Sequence, residues 1–564
     1  MSQDKIGRTR GELLRDSGPD GLITRGFLRG HGWSAEMVRR RPVIGIANTW
    51  SELNPCNGGL RELAEAVKRG VIAAGGLPLE FPTISIAEAF VRPSSMYLRN
   101  LLAIDTEEMV LASPIDGVVL LGGCDKTLPG QLMGAASAGK PAIALAAGPR
   151  PLSAWKGRPM TVESLWPLID QRRAGALDDA QWANLEANLS CGVGTCNVMG
   201  TALTMAVVAE VLGMALPGSS LLPARSASRS AIAEATGARA VALAREGTAP
   251  GDIITKSALH NAFRAVCAVG GSTNAVIHLQ AIAGRVGRHL NIEELRALSE
   301  STPMLADVKP SGSMFLHDLE ADGGVPALMG RLPHVMELGE RAGDGRTWGQ
   351  VATNAPSVTG CLSTADDPFG SPGSLAVLSG TLAPTGAILK RSAASPRLCT
   401  HRGRAVVFDG VDDVRARIDD PSTPVDADSV LVLRGVGPLG GPGMPEVGHI
   451  PIPTRLLNKG VTDMVRISDA RMSGTATGTV VLHVSPESAV GGPLAVVRDG
   501  DWIELDADEG RLDIVLDPVE IEARARKLPQ SAGVARGFER LYREHVMQAD
   551  TGCDFDFLRQ VCHD

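Results

Sequence analysis

Cys124, Asp125 and Lys126 stand consecutively in Leu121-Gly-Gly-Cys-Asp-Lys-Thr127, directly after the apolar run from Asp116 to Leu121. A soft thiolate, a hard carboxylate and an amine therefore sit at the mouth of a predicted buried strand. Thiolates suit iron or zinc and carboxylates suit magnesium or manganese, so this tripeptide offers donors to two kinds of metal. Two more cysteines lie in Gly- and Pro-bearing turns: Cys56 in Leu53-Asn-Pro-Cys-Asn-Gly-Gly59 and Cys196 in Gly192-Val-Gly-Thr-Cys-Asn-Val-Met-Gly200. These could complete a three-thiolate site, although their wide spacing matches no local metal signature. Buried thiols are the bland alternative, and it is the reading for Cys267, Cys361, Cys399, Cys553 and Cys562.

Three further segments carry polar groups in loops. Glu88 lies in Ser85-Ile-Ala-Glu-Ala-Phe-Val-Arg-Pro-Ser-Ser-Met96, where a solvated carboxylate at a helix start is the plain reading. Glu446 ends the Gly/Pro-rich loop Gly441-Pro-Gly-Met-Pro-Glu446, and Ser473 lies in Ser468-Asp-Ala-Arg-Met-Ser-Gly-Thr475 after a β-type run. Gly270-Gly-Ser-Thr-Asn274 reads either as a backbone cradle for an anion or as a helix cap. Neither a Walker-type phosphate loop nor a convincing dinucleotide fingerprint is present, so nucleotide binding has little support.

The elements that must position these residues follow from the rest of the chain. At 564 residues, two or more domains are expected. Aromatic residues make up only 3%, so the core must be built from Ala, Val, Leu, Ile and Met, with 65 glycines permitting close packing. A net charge of −8, with no basic stripe, argues against nucleic-acid binding. No apolar stretch approaches the roughly 20 residues of a membrane span, and the N-terminus lacks the apolar core of a signal peptide. A cytoplasmic protein is expected, and nine cysteines in such a chain argue against a disulfide framework.

Residues 1–40 read as an N-terminal arm that wraps a neighbour or is partly ordered. From Arg41 onward, strands predicted at 42–47, 79–86, 116–121 and 141–146 alternate with helices at 60–74, 97–111 and 128–138. Alternation of this kind implies βαβ units and a mostly parallel sheet. Ligands of such sheets lie beyond the carboxyl ends of the strands, which is where Cys56, Glu88 and Cys124 fall. Residues 150–190 break the pattern as an insertion or interface segment, and mostly helical patterns continue to about 345. The stretch 350–375, rich in Gly, Pro, Ser, Thr and Asp, marks a boundary. The fold class expected is α/β: a large domain over 41–365 with a mostly parallel sheet flanked by helices, then a smaller β-rich, barrel-like domain over 375–564. In that second domain strand-like runs occur at 404–408, 429–433, 464–467 and 479–483, hairpins at 494–516, and a helical tail at 518–548.

Taken together, Gly122–Gly130, Gly194–Cys196, Gly270–Asn274, Gly440–Glu446 and Ser468–Gly474 resemble, in content and order, the dihydroxy-acid dehydratase/6-phosphogluconate dehydratase family. The resemblance covers roughly residues 30–545. It implies an iron–sulfur cluster on Cys56, Cys124 and Cys196 with one iron free of protein ligands, [2Fe–2S] being favoured over [4Fe–4S]. It also implies Mg2+, with Mn2+ as an alternative, held by Glu88, Asp125, Glu446 and Lys126, the last as a carbamate. Ser473 would be the base that takes the C2 proton, and Cys191 would not be a ligand. The segments Ala87-Glu88-Ala89, Asn197–Ala202 and Asp463–Ser473 resemble the sugar-acid branch more than the branched-chain amino-acid enzymes. The reaction implied is dehydration of a pentonate or hexonate to its 2-keto-3-deoxy acid by a homodimer or homotetramer. Dehydration of 2,3-dihydroxyisovalerate is the first alternative, and a non-catalytic iron–sulfur sensor the second.

Overall fold

Four short apolar runs build the first sheet: β1 (Val43–Asn48), β2 (Leu77–Pro82), β3 (Gly117–Gly122) and β4 (Ala142–Ala146). The computed structural model describes residues 12–356, 360–526 and 536–560. The strands pair in parallel in the order β2-β1-β3-β4. Parallel neighbours need long crossovers, and the helices Leu60–Ala73, Ser95–Ala112 and Thr127–Ala138 supply them. Every residue of β1, β3 and β4 is buried, as expected of a sheet covered on both faces.

Scarce aromatics are offset by close backbone packing. The helices Leu60–Ala73 and Ala227–Glu246 touch through glycine: a Cβ on Gly70 would fall 1.8 Å from the Glu234 carbonyl oxygen, and one on Gly237 would fall 2.2 Å from that of Val67. The helix Thr201–Val211 is buried on all sides, as is Asn274–Arg285. Residues 12–40, expected as an arm, form three short helices, and Leu14 and Val38 enter the main core. The 150–190 segment folds into a ribbon, β5 (Ser153–Trp155) and β6 (Arg158–Met160), followed by the helices Leu165–Arg173 and Asp179–Asn188.

The second sheet has eight strands: β7 (Leu375–Leu378), β8 (Gly386–Lys390), β9 (Thr400–Asp409), β10 (Val430–Arg434), β11 (Arg466–Ser468), β12 (Val480–Ser485), β13 (Trp502–Asp506) and β14 (Arg511–Ile514). Their order is β14-β13-β9-β10-β11-β12-β8-β7, and a bridge between Ser379 and Arg511 brings the two edges together into a barrel-like ring. The expected α/β class with a barrel-like second sheet is what the chain adopts. Its central strands are parallel rather than hairpin-paired: β9 to β12 run parallel, and β12 is buried throughout. One apolar cluster, including Val407, Val432, Ile467 and Val481, lies on one face, and another, including Phe408, Leu431 and Leu433, on the other.

After the helix Gly537–His545 the chain returns to the first domain. The Arg99 guanidinium donates to the carbonyls of Gly552 and Cys553 at 2.9 Å each, and Asn100 also donates to Cys553 at 2.9 Å. Arg285 and Asp554 form a fully buried ion pair with an Nε–Oδ2 distance of 2.6 Å. Among the described residues, no helix is long and apolar enough to cross a membrane.

Glu210, buried in the Thr201–Val211 helix, accepts from the backbone N–H groups of Gly218 (2.6 Å) and Ser220 (2.9 Å). Burial nevertheless pushes its carboxyl up to about 7. The folded state thus binds a proton that the unfolded chain releases near pH 4.5, so this group makes stability fall as pH rises from about 4.5 to about 7. Glu210→Gln is expected to flatten that slope in pH-dependent denaturant melts, a difference of up to about 3 kcal/mol across the window. An unchanged slope would contradict this assignment.

Candidate active site

The three thiols meet because three loops are tied together by backbone and amide groups. Cys56 occupies a 3-10 turn after β1, Cys124 follows β3, and Cys196 precedes the Thr201–Val211 helix. Asn57 links the first two loops: its Nδ2 donates to the Thr49 carbonyl (2.9 Å) and hydroxyl (2.8 Å), while its Oδ1 accepts from Cys124 N–H at 3.0 Å. The Gly194 N–H donates to the Pro55 carbonyl at 3.1 Å, joining the third loop to the first. Gly123 is required by this approach, since a Cβ there would lie 2.5 Å from Ala147 Cβ and 2.8 Å from Asn57 Oδ1.

Mutual proximity shows in the acidities. The hydrogen bond from Cys124 holds the Cys56 thiol below its usual range. That same bond, and then burial, pushes Cys124 well above it. Burial pushes Cys196 up to about 11, and the charge of Cys56 adds to the effect. Arg150, which follows β4, places Nη2 3.6 Å from Cys196 Sγ. Cys191 lies apart, exposed and donating to the Leu152 carbonyl at 3.3 Å. Cys267, Cys361, Cys399 and Cys553 are buried free thiols, and Cys562 lies outside the described residues.

The carboxylates gather one residue away. Cys124 Sγ lies 3.3 Å from Asp125 Oδ1. Glu88, Asp125 and Glu446 present oxygens that all lie within 4.8 Å of one another. The fully buried Lys126 contacts Asp125 and sits 4.0 Å from Glu88 and 3.8 Å from Glu446. Arg471 closes the other side, bonding Glu446 at 2.9 Å, the Met444 carbonyl at 2.8 Å and Ser94 at 3.0 Å, with Glu88 at 3.6 Å. Burial pushes the Glu446 carboxyl up to about 7 despite Arg471. Burial opposes the charge on Asp125 too, but Lys126 wins and holds it below the usual range. Glu88, read from sequence as a solvated helix-start group, does accept from Ser95 N–H at the start of the Ser95–Ala112 helix, yet it also faces this cluster.

Ser473 reaches the same place from the second domain. Asn274 Nδ2 lies 3.1 Å from Glu446 Oε1 and 3.2 Å from the Met472 carbonyl, so one amide joins the serine turn to the carboxylates. Gly474 lets this turn rest against the first domain: a Cβ there would fall 2.7 Å from Ser272 Oγ and 2.8 Å from Thr201 N. The Gly270–Asn274 block is a helix start rather than an open anion cradle. Its Ser272 and Asn274 N–H groups are bonded internally, to Thr204 Oγ1 and Ser272 Oγ. Among the described residues, the buried Asn274 Oδ1 has no hydrogen-bond partner.

Residues 41–351 match the dihydroxy-acid/6-phosphogluconate dehydratase N-terminal family, and residues 360–553 match the corresponding C-terminal family. The chain belongs to the dihydroxy-acid/6-phosphogluconate dehydratase family. As a member of it, the protein is a hydro-lyase. An L-arabonate dehydratase of Azospirillum brasilense is 46% identical over 555 residues, covering 96% of this chain and 94% of that one. A 6-deoxy-6-sulfo-D-gluconate dehydratase of Pseudomonas putida is 45% identical, covering 94% and 92%. A dihydroxy-acid dehydratase of Dehalococcoides mccartyi is 36% identical, covering 94% and 97%.

All eight residues singled out from sequence thus converge in this dehydratase. Sequence reading passed over Asn57, Arg150, Asn274 and Arg471 as individuals. Asn57 and Arg471 stood beside chosen residues, within blocks already quoted, and that adjacency was the only signal available. Asn57→Ala removes four side-chain hydrogen bonds and leaves buried groups unpaired, at a cost of about 1–3 kcal/mol. A lower melting temperature and faster alkylation of Cys124 are expected, with buried Cys267 as internal control. Unaltered labelling of Cys124 would show that Asn57 does not hold the loops together.

Proposed function

We propose that this hydro-lyase dehydrates an aldonate, a 2,3-dihydroxy sugar acid, to the 2-keto-3-deoxy acid. The observation that carries this reading is the Cys124–Asp125 contact, which sets the cysteine loops beside the carboxylate trio. Greater identity to sugar-acid dehydratases than to the dihydroxy-acid dehydratase supports the aldonate over the branched diol acid.

The donor sets fit the two groups that the family resemblance implies. Cys56, Cys124 and Cys196 would hold the iron–sulfur cluster, [2Fe–2S] in preference to [4Fe–4S]. Glu88, Asp125 and Glu446 offer the hard oxygens that Mg2+ or Mn2+ prefers. An ammonium at Lys126 would repel that cation. Addition of the neutral Lys126 amine to CO2, with loss of a proton, would convert it into a further oxygen donor. When bound, the two metals supply Lewis acidity toward the leaving C3 hydroxyl and toward the carboxylate and C2 oxygen.

The chain's own groups do the remainder. Ser473 Oγ, as the alkoxide, takes the C2 proton; the electron pair forms the C2–C3 double bond as the C3–O bond breaks, and the proton passes from Ser473 Oγ to the departing hydroxide, which leaves as water and restores the alkoxide. The resulting enol tautomerises to the ketone, so no net redox change occurs. Arg471, through Glu446 and Glu88, keeps the carboxylates oriented, and Asn274 holds the Ser473 turn against them.

Anaerobically reconstituted protein is expected to form keto acid from one or more members of a pentonate and hexonate panel faster than from 2,3-dihydroxyisovalerate. Faster turnover of the branched diol acid would overturn the aldonate assignment. Ser473→Ala is expected to lower kcat by about 10²–10⁴-fold at unchanged iron and magnesium content. Near wild-type turnover would remove Ser473 from the role of base.

A further inference from the structure

A hydrogen-bonded chain reaches Ser473 from a part of the fold that the reaction has not yet used. Trp166 begins the helical part of the 150–190 segment, in the helix Leu165–Arg173. Its Nε1 donates to Thr475 Oγ1 at 3.0 Å, across more than 300 residues of sequence. Thr475 Oγ1 in turn lies 2.8 Å from Ser473 Oγ, and Thr475 N–H donates to the same Ser473 oxygen at 3.3 Å.

The chemistry of these groups fixes a direction. An indole N–H only donates, whereas a hydroxyl donates one proton and accepts at two lone pairs. Thr475 Oγ1 must therefore accept from Trp166. A hydroxyl that already accepts a hydrogen bond is polarised toward donating its own. The Thr475 proton is then best placed on the line to Ser473 Oγ, where it joins the Thr475 N–H. Ser473 Oγ becomes the end of a chain of donors, an arrangement that favours negative charge on that oxygen.

The tryptophan is itself held in place. Its ring lies 5.6 Å from that of His449, centroid to centroid. The His449 Nε2 lies 3.0 Å from the Thr477 carbonyl; a carbonyl accepts only, so this nitrogen carries the proton. The turn after Ser473 is thus gripped at Thr475 by Trp166 and at Thr477 by His449, and the two gripping rings pack on each other. Trp166 also borders a cavity of about 750 Å³ with His449, Ser395 and Thr477, so its ring is not locked in the core and a smaller ring can replace it.

We propose that Trp166 is a positioning residue for the catalytic serine: by donating to Thr475 it orients that hydroxyl toward Ser473 Oγ and stabilises the deprotonated serine. The inference rests on the reading of Ser473 as the base. Its contribution is one hydrogen bond passed through Thr475, so Trp166→Phe is expected to lower kcat by about three- to tenfold with KM for the aldonate unchanged. The kinetic isotope effect with C2-deuterated substrate should rise, because proton abstraction becomes more rate-limiting.

The deciding measurement is a double-mutant cycle on kcat with Trp166→Phe and Thr475→Val. If Trp166 acts through Thr475, the double variant matches Thr475→Val alone, whereas independent roles give multiplied losses. Additive effects, or a change confined to KM, would overturn the proposal. Should Trp166→Phe fail to fold, as judged by its melting transition, benzothienylalanine at position 166 replaces the N–H by sulfur in a ring of nearly the same shape and must give the same loss. Ser473→Ala separates this inference from the reading beneath it. An active Ser473→Ala enzyme removes the base and the relay together; an inactive one with an additive cycle removes the relay alone.

Discussion

Acidic groups crowded into a low-dielectric pocket repel one another, and the architecture of this protein is organised around tolerating that repulsion. Two like charges about 4 Å apart cost about 4 kcal/mol at an effective dielectric constant near 20. Three carboxylates and three thiols gather here, and burial first, then neighbouring negative charge, pushes Glu446 and Cys196 toward their neutral forms. Arg150 and Arg471 supply fixed positive charge among them. Helix starts add partial positive charge: Thr127–Ala138 begins directly after Cys124–Lys126, and Ser95–Ala112 begins where Glu88 accepts a backbone N–H. A divalent cation and a cluster would complete the neutralisation, which is why so many acidic donors can persist at one place.

Two sheets deliver these groups by the same device. Cys56, Glu88, Cys124 and Arg150 follow β1 to β4, all parallel, so their loops leave the sheet at one edge. Glu446 and Ser473 follow β10 and β11, which are also parallel neighbours. Loops at the carboxyl ends of parallel strands can converge without lengthening the strands. The active site is thus the meeting of two such edges, stitched by Asn274 and by the contact of Gly474 with Thr201 and Ser272.

The alternation of strands and helices before residue 150 was legible because each strand is a short apolar run and each crossover helix an amphipathic or Ala-rich stretch. The tripeptide Cys124–Lys126 announced itself by chemistry alone. Cys56, Cys124 and Cys196 could be grouped from their Gly- and Pro-bearing turns and, for the first two, from their place after predicted parallel strands; resemblance turned that grouping into a ligand set, because strand order is not encoded in periodicity. β7 and β8 were passed over, since four or five apolar residues between Gly- and Pro-bearing turns look like loop. The short helices in residues 12–40 were hidden because apolar residues do not mark their buried face: Leu22, Ile23 and Phe27 of Pro19–Gly30 are exposed. Trp166 was invisible for a further reason: its partner Thr475 lies in the other half of the chain, and no local pattern marks such a pair.

The tail that returns from the barrel has an implication for biogenesis. Arg285 and Arg99, both buried, find part of their acceptors at Gly552, Cys553 and Asp554. While those acceptors are still inside the ribosomal exit tunnel, Arg99 keeps only Asn100 and His278, and Arg285 only Glu107 and Ser137, as partners within the first domain. The first domain therefore completes its buried hydrogen bonds late, after the last strands have emerged, and reaches its final packing in the finished polypeptide rather than in the nascent one.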